Sequence, residues 1–236
     1  MGGEGGIGQE LCRQCADAGG TVTSLDISTG FDVADSAMVN RWFADHPEVD
    51  TVIYAAGIAA SGLLTRPESI DQIRSVTDVN IMGLVTVAGA AAQQIRQHRG
   101  RVVVLNSAFS LITAPGYGAY SASKAALSMA VSALRPELSP ATVTDCVLGG
   151  VDTPIFDRAA DRAGTQEARD VAERFRRRIA RNVAADVAAA ILRAALARRS
   201  RAAIGKDAAL ITGAHRIAPS VLQKAVDRLI GNPFGD

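Results

Sequence analysis

Short apolar runs alternate with longer helical patterns along most of this 236-residue chain. Runs such as TVIY and VVVL are rich in β-branched residues and have the length of strands that are buried on both faces. Strands that alternate with helices form a parallel sheet covered by helices on both sides. The alternation therefore predicts an α/β fold with one parallel sheet in a single domain.

The predicted elements follow from these patterns and from the turn residues between them. Strands are predicted at residues 21–25, 51–54, 101–105, 142–148 and 202–205. Helices are predicted at residues 7–18, 36–44, 70–96, 120–138 and 183–198.

Charge and cysteine content narrow the classes of function. The 25 Lys and Arg residues nearly balance the 24 Asp and Glu residues, so no global field attracts nucleic acid or an anionic membrane. The three cysteines lack the spacing of a disulfide framework, which favours a reducing compartment. The N-terminus has no signal-peptide pattern, and no apolar run approaches the ~20 residues that cross a bilayer. We therefore expect a cytoplasmic protein without a nucleic-acid partner, a membrane partner or a metal site.

Three glycines, Gly2, Gly6 and Gly8, lead into an amphipathic helix. Such a loop lets a pyrophosphate approach the backbone, and the helix N-terminus offers unpaired N–H groups and a positive dipole end. Asp26 ends the predicted strand after this helix, where a carboxylate can hydrogen-bond the adenosine ribose and repel a 2′-phosphate. The pattern predicts a dinucleotide site and favours NAD over NADP. Taken alone, Asp26 would be read as a residue that starts a turn.

A Y-x-x-x-K pattern, Tyr120 and Lys124, follows the predicted strand and loop that carry Ser107. Residues i and i+4 share one face of a helix, so the ammonium would lie beside the phenol. The positive charge stabilises phenolate, and we expect it to lower the pKa of the tyrosine and prepare it for general acid–base catalysis. The spacing is common in helices, but here it comes after a strand, a serine and the glycine loop.

With these motifs in order, residues 2 to about 205 resemble the short-chain dehydrogenase/reductase family, whose fold is a Rossmann-type doubly wound sheet. The family's T-G-x-x-x-G-I-G is similar to the N-terminal loop here, with Ile7 between its last two glycines. The other matching positions are Asp26, the pair Asp32 and Val33, the segment 54–57 with Ala56 and Gly57, Asn80, Ser107, Tyr120, Lys124, and the segment 148–153 with Val151 and Thr153.

The resemblance implies hydride transfer between a nicotinamide and a secondary alcohol or ketone. It implies that Tyr120 exchanges a proton with the substrate oxygen, which Ser107 holds. It implies that Lys124 lowers the pKa of Tyr120 and binds the nicotinamide ribose, while Asn80 holds a water that relays protons. Simpler interpretations are a strand end for Ser107 and a helix residue satisfied by backbone for Asn80. Cofactor contacts are implied for Gly2, Gly6, Ile7, Gly8, Asp26, Asp32, Val33, Ala56, Gly57, Tyr120, Lys124, Val151 and Thr153.

We assign residues 1–205 to the NAD(P)-binding catalytic domain and residues 206–236 to a helical C-terminal tail. The tail is expected to form two amphipathic helices broken at Pro219. Segment 154–182 is expected near the substrate, and we interpret its run ERFRRRIAR as a solvated helix face. The alternative interpretation is a mobile lid whose arginines meet an anionic substrate.

The chain departs from the family most clearly at its first strand. The family begins with a buried strand in the middle of a sheet ordered 3-2-1-4-5-6-7, and here Met1 takes the place of that strand's last residue. Each unpaired buried backbone group costs ~1–3 kcal/mol, against a total stability of ~5–15 kcal/mol. We therefore expect a loosened or unfolded domain and hypothesise that Met1 is an internal start. A less favoured alternative places residues 208–212 in the empty position, although a helix fits them better.

Two functions of different classes remain open. The first is an NAD-dependent alcohol dehydrogenase or ketone reductase with a small-molecule substrate. The second is a catalytically inactive relic or binding protein that keeps the fold. A hydrolase is disfavoured, because no G-x-S-x-G motif is present and no histidine is expected beside Ser107. The resemblance implies a homodimer through the long helices after the third and fourth core strands. The alanine-rich runs 88–92 and 122–133 would allow close contact there, and their simpler interpretation is packing onto the sheet.

Overall fold

The sheet at the centre of the molecule has four parallel strands. The computed structural model describes residues 1–231, apart from the side chain of Arg178. The strands lie in the order β1 (Thr51–Tyr54), β2 (Arg101–Ser107), β3 (Thr142–Leu148) and β4 (Arg201–Ile204). This order matches the 4-5-6-7 half of the predicted sheet. The predicted α/β fold with a parallel sheet is confirmed.

Helices precede, connect and follow these strands, mostly within two residues of the predicted bounds. A π-helical turn at Asp78–Met82 joins α3 to α4. In the described part of the chain the α-helices are α1 (Gly6–Asp17), α2 (Ser36–Asp45), α3 (Ser69–Thr77), α4 (Gly83–Gln97), α5 (Gly118–Glu137), α6 (Ile155–Ala163), α7 (Gln166–Arg178), α8 (Ala184–Leu196), α9 (Lys206–Ile217) and α10 (Pro219–Ile230).

Alternate side chains of β2 enter two different cores, as the period of two in a strand requires. Val102 and Val104 pack in the core that also contains buried residues of α2, α4 and α5. Val103 and Leu105 pack in a second core, which contains buried residues of α1 and α8. Helices therefore cover both faces of the sheet.

The helical run Ser69–Gln97 spans 29 residues and has the length and composition of a membrane-crossing helix. The expectation that no apolar run approaches this length is therefore wrong, because an 18-residue window of the run contains at most two charged residues. Its side chains Leu84, Val87 and Ile95 are fully buried in the first core. These residues face the sheet, as in a core helix of a folded domain.

Residues 21–25 were predicted to form a strand, and the structure does not place a strand there. Among the described residues, only the Leu25 carbonyl of this segment joins backbone hydrogen bonds typical of a ladder, from Gly2 N at 2.7 Å and Gly3 N at 3.3 Å. Met1 adjoins β1, since its amino group donates to Ile53 O and its carbonyl accepts from Ala55 N, both at 2.9 Å. A parallel strand needs a partner along its whole length, which local sequence cannot reveal.

Segment 154–182 and the described part of the tail are mainly helical. Gly164, with φ of +70°, ends α6 and separates it from α7. The tail forms α9 and α10, with Pro219 at the start of α10 as predicted. Residues 208–212 lie within α9, so they do not form a strand. The end of the predicted tail, residues 232–236, lies outside the described residues.

Candidate active site

A cavity of about 430 Å³ lies at the carboxyl ends of β1, β2 and β3. Parallel α/β sheets bind their ligands at this edge, where loops follow the strands. The cavity is lined by Ser107, Tyr120 and Lys124 together with Gly57 and Thr153. The structure thus brings three of the four predicted catalytic residues to one cavity, beside predicted cofactor-binding residues.

Ser107 is the last residue of β2 and caps the short 3₁₀ turn that follows the strand. Its Oγ accepts a hydrogen bond from Phe109 N at 3.2 Å. Its own backbone N–H donates to the Asn106 side chain at 2.8 Å. The Ser107 hydroxyl also forms a side-chain hydrogen bond with Tyr120. Ser107 thus ends the strand, as the simpler interpretation has it, and also lines the cavity, and its catalytic role stays a prediction.

Tyr120 and Lys124 lie one turn apart on α5, and both are 4% exposed. Burial raises the pKa of Tyr120 to about 12, with the Ser107 hydroxyl acting in the opposite direction. Burial lowers the pKa of Lys124 to about 8, although the charge of Asp145 raises it. The expectation of a lowered tyrosine pKa is therefore wrong for the protein alone. Removal from water outweighs the attraction between the ammonium and the phenolate when both groups are buried.

The Lys124 ammonium has a fixed position beside the cavity. Its Nζ donates to Leu105 O at 3.1 Å and lies 5.8 Å from the centre of the Tyr120 ring. A Cβ built on Gly57 would lie 3.4 Å from this Nζ and 3.3 Å from the Asn80 Oδ1. Glycine at position 57 therefore leaves space directly in front of the ammonium.

Asn80 lies on the π-helical turn and is completely buried. Its Oδ1 accepts from Ile58 N at 2.9 Å, and its Nδ2 donates to Ile58 O at 2.9 Å and to Ser123 Oγ at 2.8 Å. The side chain thus pins the segment after β1 to α5, next to Gly57. This geometry agrees with the simpler interpretation of Asn80 as a residue satisfied by backbone, and its role in a proton relay stays a prediction.

Ser107 is held in position by a buried polar network that the sequence did not predict. Asn106 Nδ2 donates to Asp145 Oδ1 at 3.0 Å and to Ser128 Oγ at 2.8 Å. Ser128 Oγ donates to Asp145 Oδ2 at 3.2 Å, and Arg201 Nε lies 3.6 Å from the same carboxylate. A buried carboxylate needs such partners. An Asp in the middle of an apolar strand pattern was the sequence signal for this network.

The glycine loop packs so closely that side chains would not fit. Gly2 has φ of +75°, and a Cβ there would overlap the backbone of Ala56. A Cβ on Gly8 would overlap the Gly2 carbonyl, and one on Gly6 would touch Thr153 Cγ2 at 3.2 Å. Because Gly5 precedes α1 without a capping side chain, the first N–H groups of this helix lack a side-chain partner. This loop and helix start fit the pyrophosphate of a dinucleotide.

Asp26 lies next to this loop, where the sequence predicts a ribose contact. Its carboxylate accepts from Glu4 N at 3.2 Å, from Ser28 N at 3.0 Å and from Ser28 Oγ at 2.8 Å. Partial burial acts to raise the pKa of Asp26, but these hydrogen bonds hold it below the usual value. Glu4 brings a second carboxylate to the same place, where it accepts from Ser24 Oγ at 2.6 Å.

The remaining predicted cofactor residues fall into two groups. Ile7, Gly57, Val151 and Thr153 line the cavity. Val33 instead packs in the first core, while Asp32 accepts from Ala34 N at 2.8 Å. Ala56 is half-buried beside Gly2.

Asp207, at the start of α9, anchors the loop that carries Val151 and Thr153. Its carboxylate accepts from Gly150 N at 2.6 Å and from Asn182 Nδ2 at 3.1 Å. Asn182 Nδ2 also donates to Gly150 O at 2.8 Å. A Cβ on Gly149 would overlap the Asp207 carboxylate, which explains a glycine there. Sequence reasoning missed Asp207, because its partners are distant in sequence.

The described charged side chains Glu173, Arg174, Arg176 and Arg177 of α7 are exposed, as the favoured interpretation predicts. Arg176 pairs with Asp157 at 3.2 Å, and Arg177 pairs with Glu173 at 3.6 Å. Neither arginine is among the described residues that line the cavity. Phe175, on the inner side of α7, packs with Phe109 and other aromatic residues and lines the cavity.

Comparison with known sequences places these motifs in a family context. A family profile described as short chain dehydrogenase matches residues 27–164, more than half of the chain. The 11-beta-hydroxysteroid dehydrogenase A of Sesamum indicum is 33% identical over 174 residues, covering 69% of this chain and 49% of that protein. The chain thus spans about half the length of this relative.

Solved structures agree with the fold. A short-chain dehydrogenase from Burkholderia cenocepacia in complex with NADP is 18% identical, with a TM-score of 0.78 and coverage of 96% of this chain and 95% of that chain. A small-chain dehydrogenase in complex with NADPH is 24% identical, with a TM-score of 0.73 and coverage of 90% and 96%. At these identities the likeness concerns the fold. The preference for NAD inferred from Asp26 gains no support here, because both neighbours hold the phosphorylated cofactor.

Proposed function

The chain belongs to the short-chain dehydrogenase family, and from this premise we propose that it is an NAD(P)-dependent oxidoreductase that interconverts a secondary alcohol and a ketone. The observation that carries the proposal is the placement of Ser107, Tyr120 and Lys124 around one cavity at the carboxyl edge of the sheet. A bound nicotinamide would supply the hydride in reduction or accept it in oxidation.

The residues of this chain would handle the substrate oxygen and its proton. Ser107 Oγ accepts from Phe109 N and its hydroxyl interacts with Tyr120, so a ketone oxygen placed between the two side chains would accept from both hydroxyls. The high pKa of Tyr120 keeps its hydroxyl protonated at neutral pH, so it can give its proton to that oxygen as the carbon is reduced. In oxidation the same oxygen of Tyr120 would take the proton back.

Lys124 would act by position and charge. One of its three N–H groups is used by Leu105 O, and the others remain for a ligand in the space in front of Gly57. A ribose hydroxyl fits this space chemically, because hydroxyl oxygens accept hydrogen bonds. The ammonium would also stabilise the phenolate that Tyr120 becomes after it donates its proton.

The choice between the two dinucleotides has arguments on both sides. The carboxylates of Asp26 and Glu4 next to the glycine loop disfavour a 2′-phosphate and support NAD. The solved neighbours hold NADP or NADPH. The proposal is therefore an NAD(P) site, and the ratio of the two dissociation constants decides between the cofactors.

The test is consumption of NADH and NADPH with a panel of ketones by the whole chain and by Tyr120→Phe. We expect Tyr120→Phe to lower kcat at least about 100-fold while NAD(P)H binding is kept, as removal of a general acid requires. Tyr117→Phe is the matched control, because Tyr117 is a buried neighbour whose hydroxyl has no hydrogen-bond partner. Dinucleotide binding without turnover in all three proteins would favour the non-catalytic alternative. Equal turnover in all three would contradict the role of Tyr120.

A homodimer is proposed from the outer faces of α4 and α5. Val85 on α4 is 45% exposed and Met129 on α5 is 71% exposed, whereas Ala88 and Ala91 are buried in the core. Light scattering of the whole chain measures the mass directly. We expect the mass of two chains, and a shift to one chain in Met129→Glu.

A further inference from the structure

The last helix of the described chain closes one side of the candidate active site. Leu222 and Val226 lie one turn apart on α10 and line the cavity that holds Ser107 and Tyr120. Leu229 continues the same face of the helix. Part of the cavity wall is therefore made by residues that come after the last strand.

A paired hydrogen bond holds α10 across the loop that follows Ser107. The Gln223 side chain accepts from Thr113 N at 3.0 Å and donates to Thr113 O at 2.9 Å. Its Nε2 also donates to Asp227 Oδ1 at 2.8 Å, which fixes the amide on the helix. Ile112, next to Thr113, lines the cavity. The amide thus sets the separation between two walls of one cavity.

Apart from the Lys124 ammonium, whose remaining N–H groups are proposed to meet the ribose, the described lining of the cavity offers no cation to a ligand. Among its described lining residues, only Lys124 and Asp207 are charged. The Asp207 carboxylate is used by Gly150 N and by Asn182, and the Lys124 ammonium lies at the base of the site against Leu105 O. A carboxylate or phosphate on the substrate would be buried here without a cation beyond Lys124, which is unfavourable.

We propose that α10 is the substrate-selecting wall and that the substrate is an uncharged, largely apolar ketone or secondary alcohol. The inference rests on the proposed function and adds the substrate class and two specificity-determining residues, Leu222 and Val226. The polar end of the substrate meets Ser107 and Tyr120, and its apolar body lies against α10.

The test is a series of cyclic ketones of increasing ring size, with turnover measured by NAD(P)H consumption. Each buried CH₂ is expected to raise kcat/KM about fourfold until the cavity is filled. In Leu222→Ala and Val226→Ala this gain per CH₂ becomes smaller, while the dissociation constant of NAD(P)H stays unchanged. A merely structural defect would weaken NAD(P)H binding as well.

Val221→Ala is the matched control, because Val221 lies on the same helix and is 68% exposed. Val221→Ala should show the same increase in kcat/KM per added CH₂ as the wild type. Equal selectivity in Leu222→Ala, Val226→Ala and Val221→Ala would overturn the role of α10. A keto acid turned over faster than its own methyl ester would overturn the substrate class.

Failure of the proposed function gives a different result. In that case no ketone is turned over, but calorimetric titration with the largest cyclic ketone still measures whether α10 contributes to binding. Binding about fivefold or more weaker in Leu222→Ala than in Val221→Ala would support the wall without the chemistry. Equal binding in the two variants would contradict the role of α10 in substrate binding as well.

Discussion

Asn106 and Asp145 are joined by a buried hydrogen bond of 3.0 Å between two neighbouring strands. The exposed fractions of the two residues are 2% and 1%. Asn106 is also the residue whose Oδ1 accepts from the backbone N–H of Ser107. The carboxylate therefore acts on the site in two ways, through the position of Ser107 and through its charge near Lys124.

As the pH rises, ketone reduction should respond to the deprotonation of Lys124 before that of Tyr120. With pKa values of about 8 for Lys124 and about 12 for Tyr120, the ammonium loses its proton first as the pH rises. We expect kcat/KM for reduction to be level below about pH 8 and to fall above it, since kcat/KM follows groups of the free enzyme. A profile that stays level to pH 10 would contradict the role of the charged ammonium.

Asp145→Asn should move that fall to lower pH. The substitution keeps an oxygen that can accept from Asn106 but removes the negative charge that raises the pKa of Lys124. The chain should still fold, because the shape of the side chain is kept. Ser128→Ala is the control, since it removes another bond to Asp145 without a change of charge. An unchanged profile in Asp145→Asn would show that the carboxylate is structural alone.

Lys124→Met should stabilise the chain and abolish turnover. The pKa of Lys124 is lowered by burial from 10.5 to about 8, so the unfolded chain binds this proton more tightly between these pH values. Stability of the wild type therefore rises with pH through that window and is lowest below about pH 8. At pH 7 we expect the free energy of unfolding of Lys124→Met to be about 2 kcal/mol higher than that of the wild type. This difference already allows about 1 kcal/mol for the lost hydrogen bond to Leu105 O.

Chemical denaturation at pH 7 and pH 10 measures this difference, which should shrink at the higher pH. Lys224→Met, at an exposed position of α10, is the control for a change from lysine to methionine. A less stable Lys124→Met at pH 7 would mean that the bond to Leu105 O outweighs the burial of the charge.

Asp26→Asn should change the preference between the two dinucleotides. Removal of one carboxylate beside the glycine loop lowers the repulsion of a 2′-phosphate, and we expect NADPH to gain about tenfold relative to NADH. Fluorescence titration with both cofactors gives the ratio directly. Asp71→Asn, in an exposed ion pair on α3, should leave the ratio unchanged. An unchanged ratio in Asp26→Asn would place the 2′-position away from this carboxylate.

Local patterns were sufficient to predict most of the helices and strands. The period of Leu11 and its neighbours predicts α1, and the apolar run around Val103 predicts β2. The structure brings Ser107, Tyr120 and Lys124 to one cavity, as their motifs predict, while their catalytic roles stay predictions.

Features that depend on distant partners could not be predicted in the same way. Residues 21–25 have the composition of a strand but no ladder, because strand pairing is decided elsewhere in the chain. The bond between Asn106 and Asp145, the anchoring of Gly150 by Asp207 and the contact of Gln223 with Thr113 each join residues far apart in sequence. The pKa of Tyr120 depends on its burial, which spacing on a helix does not reveal.

The bond from Gly150 N to Asp207 limits how this protein could be recombined with its relatives. The tail is not a module that begins after β4, because its first turn holds the loop proposed to face the nicotinamide. A chimera joined immediately after β4 would exchange both that anchor and the wall of the cavity. A chimera joined between α9 and α10 would exchange Leu222 and Val226 and leave Asp207 in place. That second junction is where substrate range could be varied without disturbing the cofactor loop.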